Sequence, residues 1–295
     1  MLLIENISKS FGEKDVLNNV CFKVEDGSIF GLVGVNGAGK STLLRVISGV
    51  YRPEQGEVLL NGQNTYNDPS ARKDILYVSD DPYYPYGSTI ETMKTYYETF
   101  YDLDEEAYKK YLQMFHLDPK ISISNFSKGM KRQTSLLFAL AVHPKLLLLD
   151  EAFDGLDPLI RLSFKKALAE LIEETGISVI ISSHSLKELE DICDSFGILE
   201  DTHMSTYGDL LESKENINKY QLAFTEEYGK EDFASLDVVR FEKQGRVYQL
   251  VIRGNEEDVR TELQKKDPLL IDVLPVNFEE LFIYEVESRN EAEHE

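Results

Sequence analysis

The chain has no tryptophan, two cysteines and no long apolar run. Cys21 and Cys193 lie far apart without a Cys-x-x-Cys spacing, so neither a disulfide framework nor a zinc site is expected. The apolar run Leu136–Val142 is seven residues long, whereas a membrane-spanning helix needs about 20. The opening MLLIENISKSFG lacks the basic region and apolar stretch of a signal peptide, which points to a cytosolic chain. Positive charge is also scarce, with 31 Lys and Arg against 53 Asp and Glu, a formal net charge of −22. From Ser205 onward there are 22 acidic and 11 basic residues, half of the whole imbalance. Such a surface repels a phosphate backbone and argues against nucleic-acid binding. What remains, 295 residues at 42% hydrophobic and 28% charged, suits one large or two medium globular domains.

Residues 1–210 alternate short apolar runs with amphipathic stretches, which predicts an α/β fold with helices around a mixed, mainly parallel sheet. Ser28–Gly34, Leu146–Asp150 and Ser178–Ser182 are apolar enough for strands buried on both faces. Between about 81 and 145 the texture becomes helical, and eight of 16 tyrosines fall between Tyr83 and Tyr111. These tyrosines either pack the insertion's own core or supply a docking surface. Residues 211–285 predict a small α+β appendix. Its strands are Tyr220–Phe224, Val238–Lys243, Arg246–Ile252 and Leu269–Leu274, with helices from Asn255 through Gln264 and over Phe278–Glu285. Residues 286–295 form an acidic tail.

The segment GVNGAGKST (Gly34, Val35, Asn36, Gly37, Ala38, Gly39, Lys40, Ser41, Thr42) follows an apolar strand and opens an amphipathic helix. That context marks a P-loop. Glycines let successive backbone N–H groups face one concave site, and the helix N-terminus adds its dipole. Lys40 reaches the terminal phosphates and the Ser41 hydroxyl suits Mg²⁺. A merely flexible turn requires neither. LLLLDE adds Asp150, placed to hold Mg²⁺ through water, and Glu151, placed to polarise an attacking water. Alone, that Asp-Glu pair would read as a helix start; beside a P-loop it reads as the hydrolytic half of a nucleoside-triphosphate site.

A second stretch, NFSKGMKRQ (residues 125–133), sets Lys128, Lys131 and Arg132 behind a helix cap in an acidic protein. The cations either decorate a solvated face or await an anion held elsewhere.

Phe11, the P-loop, Asp80, Phe126–Gln133, Leu146–Glu151, Gly155–Asp157 and His184 occur in the order found in the ATP-binding cassette (ABC) ATPases, which this chain resembles over about residues 1–210. The resemblance implies a P-loop ATPase using ATP and Mg²⁺, with Phe11 stacked on adenine; taken alone, Phe11 reads as a core aromatic. FSKGMKRQ resembles the family's Leu-Ser-Gly-Gly-Gln signature. By that likeness Ser127 and the Gly129 N–H close the ATP site of a second cassette, while Ser127 also caps its own helix. Asp157 would link the two sites, and His184 would contact the γ-phosphate and Glu151. His116, His143, His203 and His294 match no motif. The expected protein is the ATPase subunit of a bacterial exporter on the cytoplasmic face of the membrane. Its partners are a separate permease and a second ABC subunit, identical or homologous. A soluble ABC protein acting on ribosomes or DNA is the alternative, disfavoured by the single P-loop, the missing heptads and the acidic surface. A regulatory module that binds ATP without hydrolysing it is weakened by Glu151 and His184 together.

The sequence departs from the family pattern at Phe126, Lys128, Ala152, Asp154 and, most of all, Asp80, where the family usually has Gln. Asp keeps an oxygen ligand suited to Mg²⁺ but adds charge and loses reach. Asp80→Gln is therefore expected to preserve hydrolysis and to alter its stimulation by the permease. Equal basal and permease-stimulated rates in the two proteins would remove that expectation.

Overall fold

The computed structural model describes residues 1–209, 217–276 and Glu280. The predicted helix Phe278–Glu285, Glu280 apart, and the tail 286–295 lie outside the described residues. The chain divides into two compact units, Met1–Tyr207 and Gly208–Glu295.

In the first unit, β1 (Leu2–Phe11), β2 (Lys14–Val24), β4 (Gln55–Leu60) and β5 (Gln63–Asn64) form an antiparallel sheet in the order β2-β1-β4-β5. The second sheet holds β3 (Ile29–Val33), β6 (Ile75–Val78), β7 (Leu146–Asp150), β8 (Ser178–Ser183), β9 (Ser195–Glu200) and β10 (His203–Asp209). Its order is β10-β9-β3-β8-β7-β6, and the five strands from β9 to β6 are parallel. Every residue of β3, β7 and β8 is buried, because parallel strands carry helices on both faces. The α/β expectation holds, and the parallel ladder brings the C-terminal ends of β3, β8 and β7 side by side.

The helices of this unit are α1 (Lys40–Ile47), α2 (Pro69–Lys73), α3 (Ile90–Phe100), α4 (Glu105–Met114), α5 (Lys128–Ala141), α6 (Pro158–Thr175) and α7 (Leu186–Glu190). Leu43, Leu44, Val46 and Ile47 of α1 join Leu32, Leu146, Leu148 and Ile180 in one core. Each fully buried aliphatic side chain there contributes roughly 1.5–3 kcal/mol.

Between β6 and β7, side chains mark the helix starts. Thr89 forms a capping box with Thr92, Asp104 accepts from the Glu106 and Ala107 N–H groups, and Ser127 accepts from that of Met130. Some of these tyrosines pack the insertion's own core and others are exposed. Tyr97 stacks on Phe138 with ring centroids 4.2 Å apart, Tyr101 donates its hydroxyl to the Ile75 carbonyl, and Tyr108 and Tyr111 are buried. Tyr83 and Tyr86 stand 84% and 98% exposed, accompanied by Tyr96 and Phe100.

In the second unit, β11 (Ile217–Ala223), β12 (Asp237–Gln244), β13 (Val247–Arg253) and β14 (Leu270–Leu274) pair antiparallel in the order β12-β13-β11-β14. Gly245, at φ +64°, makes the β12–β13 turn. Asn255 caps α8 (Glu256–Gln264), whose Val259 and Leu263 pack on Tyr220, Leu222, Tyr248, Leu250 and Ile252.

Phe138 anchors α5 to the tyrosines of α3 and α4. Phe138→Ala is expected to destabilise the fold by about 3–5 kcal/mol, read as a lower midpoint in denaturant. An unshifted midpoint would mean that the Tyr97–Phe138 stack holds nothing together.

Candidate functional site

β3 ends at Val33 and the chain turns through the P-loop into α1. Gly39 precedes α1 at φ +109°, and a Cβ there would stand 2.9 Å from the Val16 carbonyl. At Gly34 a Cβ would meet the Leu199 carbonyl at 2.5 Å. Only glycine lets this loop pass between β2 and β9. Lys40, 6% exposed, curls back over the loop and donates to the Gly34 carbonyl at 2.7 Å. Its Nζ also pairs with Glu151 Oε1 at 3.2 Å.

β7 delivers Asp150 and Glu151. Asp150 is fully buried, accepting from the Tyr77 hydroxyl at 3.0 Å and from Ser182 Oγ at 2.6 Å. Burial and the Asp150 charge raise the Tyr77 pKa far above its usual range, so its hydroxyl stays a donor. Glu151 adopts φ +48°, a strained left-handed conformation for a residue with a side chain. Its N–H donates to Ser182 Oγ at 3.0 Å and to the Ser182 carbonyl at 3.2 Å. Its second carboxylate oxygen meets His184 Nδ1 at 3.0 Å, just past β8. Ends of three adjacent parallel strands thus assemble a Lys40–Glu151–His184 chain of contacts.

A cleft of about 320 Å³ opens onto this chain. Phe11, Lys14, Asn36, Gly37, Gly39, Lys40, Ser41, Thr42, Asp80 and Glu151 line it. Phe11 is half exposed and meets Tyr51 edge-on at 5.5 Å, so it is a cleft-wall aromatic and not a core one. Val35 and Ala38 shape the loop without lining the cleft, through an Ala38 N–H bond to the Val35 carbonyl.

Among the described residues, Ser127, Gly129 and Asp157 do not line this cleft. Ser127 is exposed at the start of α5, and Gly129 packs so closely on the Gly155 carbonyl that a Cβ would stand 2.8 Å away. Asp157 caps α6, accepting from the Leu159 and Ile160 N–H groups. Of the residues expected to hold a divalent cation, Ser41 and Asp80 line the cleft and Asp150 does not; all three offer oxygen. This all-oxygen set fits Mg²⁺, and because Asp150 is already engaged by Tyr77 and Ser182 it would act through water.

One reading of the NFSKGMKRQ cations is corrected. Arg132 neither decorates a solvated face nor awaits an anion: it is 2% exposed and donates to the carbonyls of Ser79, Asp80 and Asp150. Lys128 is exposed and Lys131 half-buried. Ser182, Tyr77 and Arg132 are the site-supporting residues that motif reading missed; only the β7–β8 register, which sets Asp150 opposite Ser182, announces the serine.

Fold and P-loop define a P-loop nucleoside triphosphatase. The family model described as ABC transporter matches residues 17–154. The ABC transporter ATP-binding protein YtrB of Bacillus subtilis (strain 168) is 30% identical over 287 residues, covering 96% of this chain and 97% of its own length. The lantibiotic transport ATP-binding protein SrtF of Streptococcus pyogenes is 32% identical over 201 residues, 68% of this chain and 86% of its own. A solved ATP-binding subunit of an ABC transporter matches with a TM-score of 0.68 at 30% identity, covering 72% of this chain and 92% of that one. The chain belongs to the ABC transporter ATP-binding proteins. It is an ATP-binding, ATP-hydrolysing transporter subunit, and among the described residues no helix is long and apolar enough to cross a membrane.

Ser182 holds Asp150 and the strained Glu151 N–H at once. Ser182→Ala is expected to lower ATP turnover by about 10–100-fold through misplacement of these groups. It should also cost about 1–3 kcal/mol of stability and leave ATP affinity nearly unchanged. Wild-type turnover in a folded Ser182→Ala protein would contradict the positioning role.

Proposed function

We propose that this chain is the ATPase subunit of a bacterial ABC exporter, working as a pair of cassettes beneath a separate permease on the cytoplasmic face of the membrane. The observation that carries the mechanism is the meeting of Lys40, Glu151 and His184 beside the P-loop, at 3.2 and 3.0 Å.

In this reading, residues 1–210 are the nucleotide-binding domain, with a helical subdomain at about 81–145, and residues 211–285 are a C-terminal domain. Phe11 stacks on the base of ATP, and the loop Gly34–Thr42 with the N-terminus of α1 receives the phosphates. Lys40 exchanges Glu151 for phosphate oxygens, which frees the carboxylate to orient water. His184 holds Glu151 in register from the far side. Ser41, Asp80 and Asp150 would hold Mg²⁺, which when bound offsets phosphate charge. Ser127 and the Gly129 N–H, at the exposed start of α5, close the partner cassette's site, and Asp157 lies on the path between the two sites. A two-fold axis makes this contact reciprocal. Tyr83, Tyr86, Tyr96 and Phe100 offer the permease an aromatic surface with polar tips. The drug and antimicrobial-peptide exporter branch is favoured by the name of SrtF, a lantibiotic transport protein.

Glu151→Gln is expected to lower turnover by at least about 10²–10⁴-fold, the usual share of a general base, while MgATP still binds. With that variant and MgATP, a pull-down from solubilised host membranes should recover an integral-membrane protein in stoichiometric yield. Recovery of ribosomal or DNA-associated proteins alone would overturn the transporter pairing. Full turnover by Glu151→Gln would overturn the assignment of the base.

A further inference from the structure

Arg132 lies outside the cleft, yet its guanidinium donates to backbone that carries site residues. Nη1 donates to the Ser79 carbonyl at 2.7 Å and the Asp150 carbonyl at 3.3 Å, and Nη2 donates to the Asp80 carbonyl. Its burial is costly, and desolvation pulls the guanidinium pKa below its ordinary value despite the opposing charges of Asp80, Asp154 and Asp150. A buried cation bonded to neutral carbonyls indicates that their positions matter. A second stitch runs in the opposite direction: Tyr84, four residues beyond Asp80, donates its hydroxyl to the Lys131 carbonyl of α5 at 2.9 Å. Burial keeps that phenol protonated and donating. The first turns of α5 and the segment 79–84 are therefore tied from both sides, and the end of β7 is tied to the same guanidinium.

We propose that Arg132 is a positioning residue for hydrolysis, a fork that makes α5, the Asp80 backbone and the Asp150–Glu151 backbone move as one body. α5 is capped by Ser127, five residues before Arg132, so displacement of that helix start is carried to both carboxylate-bearing segments by one side chain. A lysine cannot take this place, because a single ammonium on a flexible stem lacks the planar fork that spans carbonyls of two separate segments. The inference rests on the proposed role of Glu151.

The test uses the full-length chain and compares Arg132→Lys and Tyr84→Phe with wild type and Glu151→Gln. The readouts are kcat, KM for ATP, equilibrium affinity for a fluorescent ATP analogue, and amide hydrogen exchange. Arg132→Lys is expected to lower kcat by about 10–100-fold, as small misplacements at a reacting centre do, with KM and analogue affinity unchanged. Tyr84→Phe should shift kcat in the same direction by a smaller factor. Amide exchange should quicken in 79–84 and 150–154 and stay constant in 217–276. A kcat within about twofold of wild type in folded Arg132→Lys overturns the inference. Equal loss of kcat and analogue affinity overturns it too, since that marks general damage to the cleft. If Arg132→Lys does not fold, Tyr84→Phe decides: unchanged kcat and exchange overturn the stitch. Full turnover in Glu151→Gln removes the Glu151 assignment itself, an outcome distinct from wild-type behaviour of the Arg132 and Tyr84 variants.

Discussion

The site depends on one largely buried ion pair, Lys40 with Glu151 at 3.2 Å, the two side chains 6% and 15% exposed. Taking both charges out of water costs several kcal/mol per ion, and their attraction offsets it only with good geometry and further hydrogen bonds. Those further bonds are present: the Gly34 carbonyl on Lys40, His184 on Glu151, and Ser182 under the Glu151 N–H. Such a pair is a weak source of stability and a strong constraint on position. Removing either partner leaves a charge that the surroundings were built to neutralise, so the fold must deliver both ends to the same place.

It does so through the parallel sheet. β3, β8 and β7 are neighbours, and their C-terminal ends supply the P-loop, Ser182 with His184, and Asp150 with Glu151. Open α/β sheets gather ligand sites at this edge because every crossover leaves the strands there. The strained φ of Glu151 fits the same constraint: the chain must turn sharply after the buried Asp150 while the Glu151 N–H still reaches Ser182. Strain of that kind persists only where neighbouring contacts over-determine it.

The P-loop is legible in the sequence because its chemistry is local: glycines, Lys40 and Ser41 sit within nine residues between an apolar strand and an amphipathic helix. The strands β7 and β8 are equally plain, their uniform burial following from apolar runs. Arg132 is not legible, because its partners lie 18 to 53 positions away and nothing in SKGMKRQ distinguishes a buried fork from a solvated cation. Ser182 and Tyr77 escape for the same reason, since both act on Asp150 across strand pairings. The tyrosine cluster divides between core and surface, and helical spacing does not foretell the division because it reports a face without saying what covers it. Tyr97 and Tyr108 meet Phe138, while Tyr83 and Tyr86 stand in solvent.

Charge placement follows from the same geometry. Arg132 is spent inside the fold, so the charged side chains lining the cleft are Lys14 and Lys40 against Asp80 and Glu151, a formally neutral set. A triphosphate brings several negative charges at neutral pH, in a chain whose net charge is already −22. Lys40 is already paired with Glu151, and Asp80 supplies a charge that a glutamine there would not. Further compensation is available from the N–H groups of the loop and the dipole of α1. Asp80 is thus one more negative charge in the wall that a nucleotide approaches, and Arg132 ties its backbone to α5.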